Sequence, residues 1–127
     1  MGIVGVGNLG GALLRHRNFP ARGFRFIAAF DSDPEKIGKI VPQDLVIGDV
    51  ATLKKTSEDL NIDIGVIAVP SSKAQEIADT FIDARINAIL NFSPAQIHVP
   101  GDCVVENIDF TIKLDILTYK LKHEIGI

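Results

Sequence analysis

A chain that opens on Gly2-Ile3-Val4-Gly5-Val6-Gly7-Asn8-Leu9-Gly10 has its opening architecture largely decided. A short apolar strand runs into Gly-x-Gly-x-x-Gly, and Ala12-Leu13-Leu14 continues a helical pattern directly afterwards. In a turn that holds a dinucleotide each glycine answers a separate demand. Gly5 permits the tight bend out of the strand, Gly7 lets backbone approach a pyrophosphate, and Gly10 lets the helix pack close to the sheet. Val6, Asn8 and Leu9 complete the turn, and the helix offers unpaired N–H groups and its positive dipole end to phosphates. Glycine-rich turns are common, so the motif alone is weak. Its setting strengthens it: Asp31 ends a second apolar run, Phe26-Ile27-Ala28-Ala29-Phe30, at about the twenty-residue distance where an acidic side chain accepts hydrogen bonds from a ribose. A carboxylate there would repel a 2′-phosphate and so favour NAD(H) over NADP(H). The plain alternative is that Asp31 merely starts the Asp33-Pro34 turn.

Strand and helix signals alternate along the rest of the chain. A helix from Asn8 to about Arg15 would place Leu9, Ala12, Leu13 and His16 on one face. Residues 18–23 read as a loop. Asp33 as N-cap and Pro34 at the first helical position start a helix that Gly38 ends after little more than one turn. Leu45-Val46-Ile47 reads as a third strand, and residues 49–60 as a polar helix with few core anchors. Residues 62–69 are almost continuously apolar, as in a central parallel strand covered on both faces, and Pro70 closes them. Ser72-x-x-Gln75 has the form of a capping box for a helix whose Ala74, Ile77, Ala78, Phe81 and Ile82 share one face. Residues 88–92 and 103–107 supply the last two strands. The alternation predicts an α/β, Rossmann-like domain over residues 1–107, mostly parallel, with right-handed crossovers and helices on both faces.

Residues 108–127 predict a C-terminal helix of another kind. At 100° per residue, Phe110, Leu114, Leu117 and Leu121 fall on one side, with Ile112, Ile116 and Tyr119 roughly opposite. A helix lying on one surface needs one apolar stripe; two stripes point to a helix held between two surfaces. A homodimer in which this helix packs against the partner supplies the second surface. The plain alternative is a terminal helix with exposed apolar residues.

Composition narrows the function. A chain of 127 residues, 46% hydrophobic and 23% charged, fits one globular domain. With a net charge of −3 and no cluster of Lys and Arg, it is not expected to grip nucleic acid by itself. No apolar run approaches the roughly 20 residues of a membrane span, and the start lacks the form of a secretory signal. Cys103 is the one cysteine, so no internal disulfide forms and a cytoplasmic location is expected; among apolar neighbours it reads as a small core residue. His16, His98, His123 and Cys103 have no ligand-like spacing, and no metal is expected.

Several blocks together resemble the C-terminal regulatory domain of Rex, the bacterial redox-sensing transcriptional repressors. They are Val4-Gly5-Val6-Gly7-Asn8-Leu9-Gly10, Phe30-Asp31-Ser32-Asp33-Pro34-Glu35-Lys36-Ile37-Gly38, Val69-Pro70 with Ala74-Gln75-Glu76-Ile77-Ala78-Asp79, Ile89-Leu90-Asn91-Phe92-Ser93-Pro94, and Val104-Val105-Glu106-Asn107-Ile108-Asp109-Phe110. The resemblance covers essentially the whole chain. It implies a dimeric, non-enzymatic sensor of the NADH to NAD⁺ ratio whose C-terminal helices are exchanged and which releases operator DNA when NADH binds. It brings Ser32, Val69 and Pro70 into the nucleotide site and places Phe110 close to a nicotinamide. It also implies a switch network in which His16 stands where the family has Tyr, facing Asp109. A titrating imidazole would add a proton dependence, whereas the plain reading of His16 is a helix-terminal side chain beside free carbonyls. The family carries an N-terminal winged-helix domain with no counterpart before Met1, so operator DNA is expected only through a domain outside this chain. Where the family ends the helix before residue 86 with Gly, Arg85 stands, and Asn87 is expected to supply the turn.

Asn91, at the carboxyl end of a central strand, either touches the ligand or ties up a loop; its position favours contact. Two other functions fit the same turn. An oxidoreductase would need a substrate pocket and a proton donor, and the nucleotide fold and terminal helix already use the chain. A domain holding coenzyme A or another adenine nucleotide would set a ribose 3′-phosphate against Asp31.

Overall fold

The computed structural model describes residues 1–16, 22–108 and 117–121. Seven strands form one sheet: β1 (Gly2–Val4), β2 (Ala28–Asp31), β3 (Ile40–Val41), β4 (Leu45–Asp49), β5 (Gly65–Ile67), β6 (Ala88–Asn91) and β7 (Val104–Asn107). Three helices lie between them: α1 (Asn8–Leu14), α2 (Leu53–Leu60) and α3 (Ser71–Asp83). The spatial order is β3-β4-β2-β1-β5-β6-β7. All neighbours are parallel except the β3–β4 hairpin at one edge. Without the edge strand β3, the order β4-β2-β1-β5-β6-β7 is that of a six-stranded dinucleotide-binding sheet.

Alternation along the strands separates two cores. On one face Val4, Phe30, Ile67 and Ile89 meet Leu53 of α2 and Ala74, Ile77, Ala78 and Phe81 of α3. On the other, Ile3, Ala29 and Val66 meet Leu14 of α1 and Phe26. The predicted stripe of α3 is the buried one, with Ile82 packed at its margin. α2 has Leu53 and Ser57 as its buried residues, in line with its polar pattern.

Several local expectations are corrected. α1 does not bury Leu9, Ala12, Leu13 and His16 as a face: its buried residues are Gly10 and Leu14, and Ala12 and His16 are exposed. Leu14 enters the core, and the close contact near the start of the helix is made by Gly10, which carries no hydrophobic signal. Ser72-x-x-Gln75 is not a capping box, because α3 starts at Ser71 with Pro70 as an N-cap that makes no side-chain bond. The Gln75 amide instead clamps a distant loop, donating to His98 O at 2.9 Å and accepting from His98 N at 2.7 Å. Residues 33–38 close a single turn, with Ile37 N donating to Asp33 O, and no full helix forms. The 49–60 stretch divides into a 3₁₀ turn at Val50–Thr52 and α2. β5 is shorter than residues 62–69, and β3 gave no sequence signal. Arg85 itself takes the left-handed conformation, at φ 63°, so Asn87 is not the turn residue.

Candidate functional site

The sheet order reverses at β1, whose neighbours are β2 and β5. A crevice at the carboxyl ends of the strands on either side of such a reversal is where open α/β sheets bind ligands. β1 runs there into the Gly5–Gly10 turn, and β5 into Ala68, Val69 and Pro70. Gly5 has φ +102°, and a Cβ on it would overlap the carbonyl of Ala68. A Cβ on Gly10 would overlap the carbonyl of Gly5. Strand, turn and helix are therefore stacked at a backbone separation that only glycine allows. Gly7 differs: it is exposed, and the one atom near a Cβ there would be Lys36 Nζ, at 3.9 Å. As the N-cap of α1 it makes no side-chain bond, which leaves the first-turn N–H groups uncapped.

Asp31 joins the second strand to this turn. Its Oδ2 accepts from Val6 N at 2.8 Å, and its Oδ1 from Asp33 N at 3.0 Å. Phe30 O also accepts from Gly5 N at 2.9 Å. Partial burial pushes the Asp31 carboxyl pKa up, but the N–H groups of Val6 and Asp33, the Lys36 charge and Ser32 N–H outweigh it and hold the group below its ordinary value. An ionised carboxylate with about four acceptor positions still has capacity for hydroxyl donors. The turn bonds of Asp31 thus leave acceptor positions on the same side chain for the expected ribose hydroxyls.

Val6, Leu9 and Val69 are half-buried and Asn8, Ser32 and Pro70 exposed. Asn91 is fully buried, and its Nδ2 donates to Ala95 O and Asn107 Oδ1, both at 3.0 Å. Its Oδ1 accepts from Ser93 N at 2.9 Å. These bonds favour the loop-tying role: Asn91 supports the crevice floor and presents no surface to a ligand. Phe110 and Asp109 lie outside the described residues, and with them the expected His16–Asp109 contact. Sequence reasoning passed over Lys36, whose signal was its place one turn beyond Asp31.

A second feature is a groove of 440 Å³ on the α1 face of the sheet, beside α1 and over β6 and β7. Phe24, Phe26, Val66, Leu90, Phe92 and Val104 are among its lining residues. Its walls are almost wholly apolar, with Glu106 at the margin. Among the described residues no helix is long and apolar enough to cross a membrane, and no group of His, Cys, Asp or Glu could hold a metal ion.

Residues 1–95 match the family described as CoA binding domain. The chain is 50% identical over 121 residues to a redox-sensing transcriptional repressor Rex of Syntrophobacter fumaroxidans, covering 95% of this chain and 58% of that protein. It is 45% identical over 125 residues to a Rex of Caldicellulosiruptor bescii, covering 98% and 57%. The chain thus spans a little over half the length of these relatives. Among solved structures it is similar to RSP, a Rex-family repressor, with a TM-score of 0.91 at 35% identity over 97% of this chain and 58% of that one. RSP has been solved with β-NADH and with β-NAD⁺ and operator DNA, and those forms give TM-scores of 0.90 and 0.88.

Proposed function

The chain belongs to the CoA binding domain family, in its Rex-like branch, and from that premise we propose that it is an NAD(H)-responsive regulatory domain rather than an enzyme. The observation that carries the reading is the turn at the sheet reversal, with Gly5 and Gly10 at backbone contact and the Asp31 carboxylate bonded to Val6 N. That arrangement fits an adenosine diphosphate: Asp31 accepts from ribose hydroxyls, Gly7 admits the diphosphate, and Ser32, Asn8, Leu9, Val69 and Pro70 line the rim. The solved complexes of RSP with β-NADH and β-NAD⁺ support the choice of ligand.

NADH and NAD⁺ differ at the nicotinamide by one positive charge. A closed apolar surround disfavours the cation by desolvation, and Phe110 is assigned there by the family resemblance. Binding moves an equilibrium between subunit arrangements only as far as the affinities for the two arrangements differ. The dimer reading draws support from two surfaces. The groove on the α1 face is apolar and open, and the helical residues 117–121 expose Leu117 and Tyr119 at 63% each. In the proposed homodimer, residues 108–127 of one copy cover that groove in the other. Operator DNA is engaged by a part of the protein beyond these residues, and the cytoplasm is the proposed location.

Titration with NADH, NAD⁺, NADPH and coenzyme A tests the reading. NADH binding much tighter than NAD⁺, without turnover, supports it; equal affinities remove the redox role. Coenzyme A is the second reading, favoured by the family description and opposed by the charge of Asp31, which a 3′-phosphate on the same ribose would meet. Binding of coenzyme A alone would establish it.

A further inference from the structure

We propose that Lys36 is the side chain that neutralises the diphosphate of the bound nucleotide, an inference that rests on the nucleotide reading above. Its Nζ stands 3.9 Å from the position of a Cβ on Gly7, the glycine whose bare backbone faces the crevice. The loop that delivers it begins at the ribose carboxylate. Asp33 N bonds Asp31 Oδ1, Glu35 N bonds Asp33 Oδ1 at 2.9 Å, and Lys36 N bonds Asp33 O at 2.9 Å. Lys36 is half-buried, yet its ammonium makes no hydrogen bond or ion pair within the described residues. Its charge acts on the Asp31 carboxylate without closing an ion pair, so its three donors remain available to an anion at Gly7. The Asp31 oxygens accept from Val6 N and Asp33 N, and among the described residues no Lys36 ion pair closes on them.

The phosphate in question is the diphosphate rather than a phosphate on the ribose. Asp31 already places negative charge on the ribose side, and Gly7 is where the backbone opens. The site then reads as a pair of opposite charges, Asp31 for hydroxyl donors and Lys36 for phosphate oxygens, set one turn apart on one loop. Lysine suits this use as a point charge of three donors.

The test compares Lys36→Gln with the unaltered chain for NADH, ADP-ribose and adenosine, by calorimetry for the first two and NMR titration for the third. NADH and ADP-ribose are expected to bind about tenfold more weakly or worse, with adenosine unchanged and the salt dependence of NADH binding reduced. Lys36→Arg should restore most of the affinity. The proposal is overturned if Lys36→Gln binds ADP-ribose as tightly as the unaltered chain. It is also overturned if adenosine weakens by the same factor, since Lys36 would then act by holding the Asp31 loop. In both cases NADH binding by the unaltered chain leaves the functional reading intact. Failure of the unaltered chain to bind any of the three overturns both.

Discussion

Two backbone N–H groups from different elements converge on the Asp31 carboxylate, and that convergence sets both its charge and its discrimination. Because the folded state holds its pKa below the ordinary value, folding favours the ionised form. The stability it contributes is complete above the ordinary carboxylate pKa and is lost as pH falls through the lowered folded value. Asp31→Asn should therefore flatten acid sensitivity: between about pH 5 and about pH 3 its urea midpoint should fall less than that of the unaltered chain. The same substitution should raise NADPH affinity relative to NADH on the order of tenfold, read by parallel titrations. The glycines of the turn separate binding from folding. Gly7→Ala puts a methyl group in ordinary van der Waals contact with Lys36 Nζ, at 3.9 Å, and at an ordinary φ of −86°. It should leave the denaturation midpoint nearly unchanged while weakening NADH where the diphosphate approaches. Gly10→Ala drives a methyl group into the Gly5 carbonyl, so α1 must move. It should cost about 1–3 kcal/mol in chemical denaturation and remove nucleotide binding as well.

At the end of α3 two hydrogen bonds close a left-handed stop: Ile86 N donates to Phe81 O and Arg85 N to Ile82 O, both at 2.9 Å. Arg85 occupies the left-handed position at φ 63°, a conformation that a side chain resists by roughly 1 kcal/mol. Arg85→Gly should accordingly raise stability by up to about 1 kcal/mol in urea unfolding, with nucleotide affinity unaffected. This stop also shows where sequence reasoning reaches. The helix and its stripe were legible because Ala74, Ile77, Ala78 and Phe81 all enter one core. The residue that takes its left-handed stop was not, because an arginine in that conformation leaves no compositional trace and Asn87 was expected there. The strands around the site were legible for the same reason as the stripe: Ile3-Val4, Ala28-Ala29-Phe30 and Val66-Ile67 are buried on both faces. β3 was hidden, since a two-residue edge strand with Ile40 exposed at 73% has no alternation to display. Gln75 and Asn91 were misleading in a related way. The spacing of Gln75 suggested a cap and the strand-end position of Asn91 a ligand contact, while Gln75 bonds His98 in a distant loop and Asn91 bonds Asn107 of β7 together with Ser93 and Ala95. Of the candidate site, the Gly5–Gly10 turn with Asp31 was written locally, while the approach of Lys36 to Gly7 needed three dimensions.

Over the whole molecule, coverage of the sheet is unequal. Among the described residues, α2 and α3 pack on one face, while on the other α1 packs over β1, β2 and β5 and an apolar groove lies beside it over β6 and β7. An apolar patch of this kind on a domain that also exposes Leu117, Tyr119 and Leu121 is what a chain completed by a second copy would show. Val104 offers a clean probe of that arrangement. It lines the groove from the edge strand β7 and is 64% exposed, so the fold itself does not depend on it. Lysine is well tolerated on exposed edge strands, and Val104→Lys should leave the denaturation profile of the isolated chain nearly unchanged. In a dimer with the groove covered, the same ammonium would be taken from water without a partner, at a cost of several kcal/mol. Sedimentation equilibrium should then show the variant shifted from two chains toward one, with the dissociation constant raised on the order of a hundredfold or more. NADH should still bind the separated chains through the turn, and in the proposed dimer, where the other copy supplies the apolar cover at the nicotinamide end, the difference between NADH and NAD⁺ should shrink. A variant that remains two chains with its redox preference intact would place the subunit contact elsewhere on the molecule.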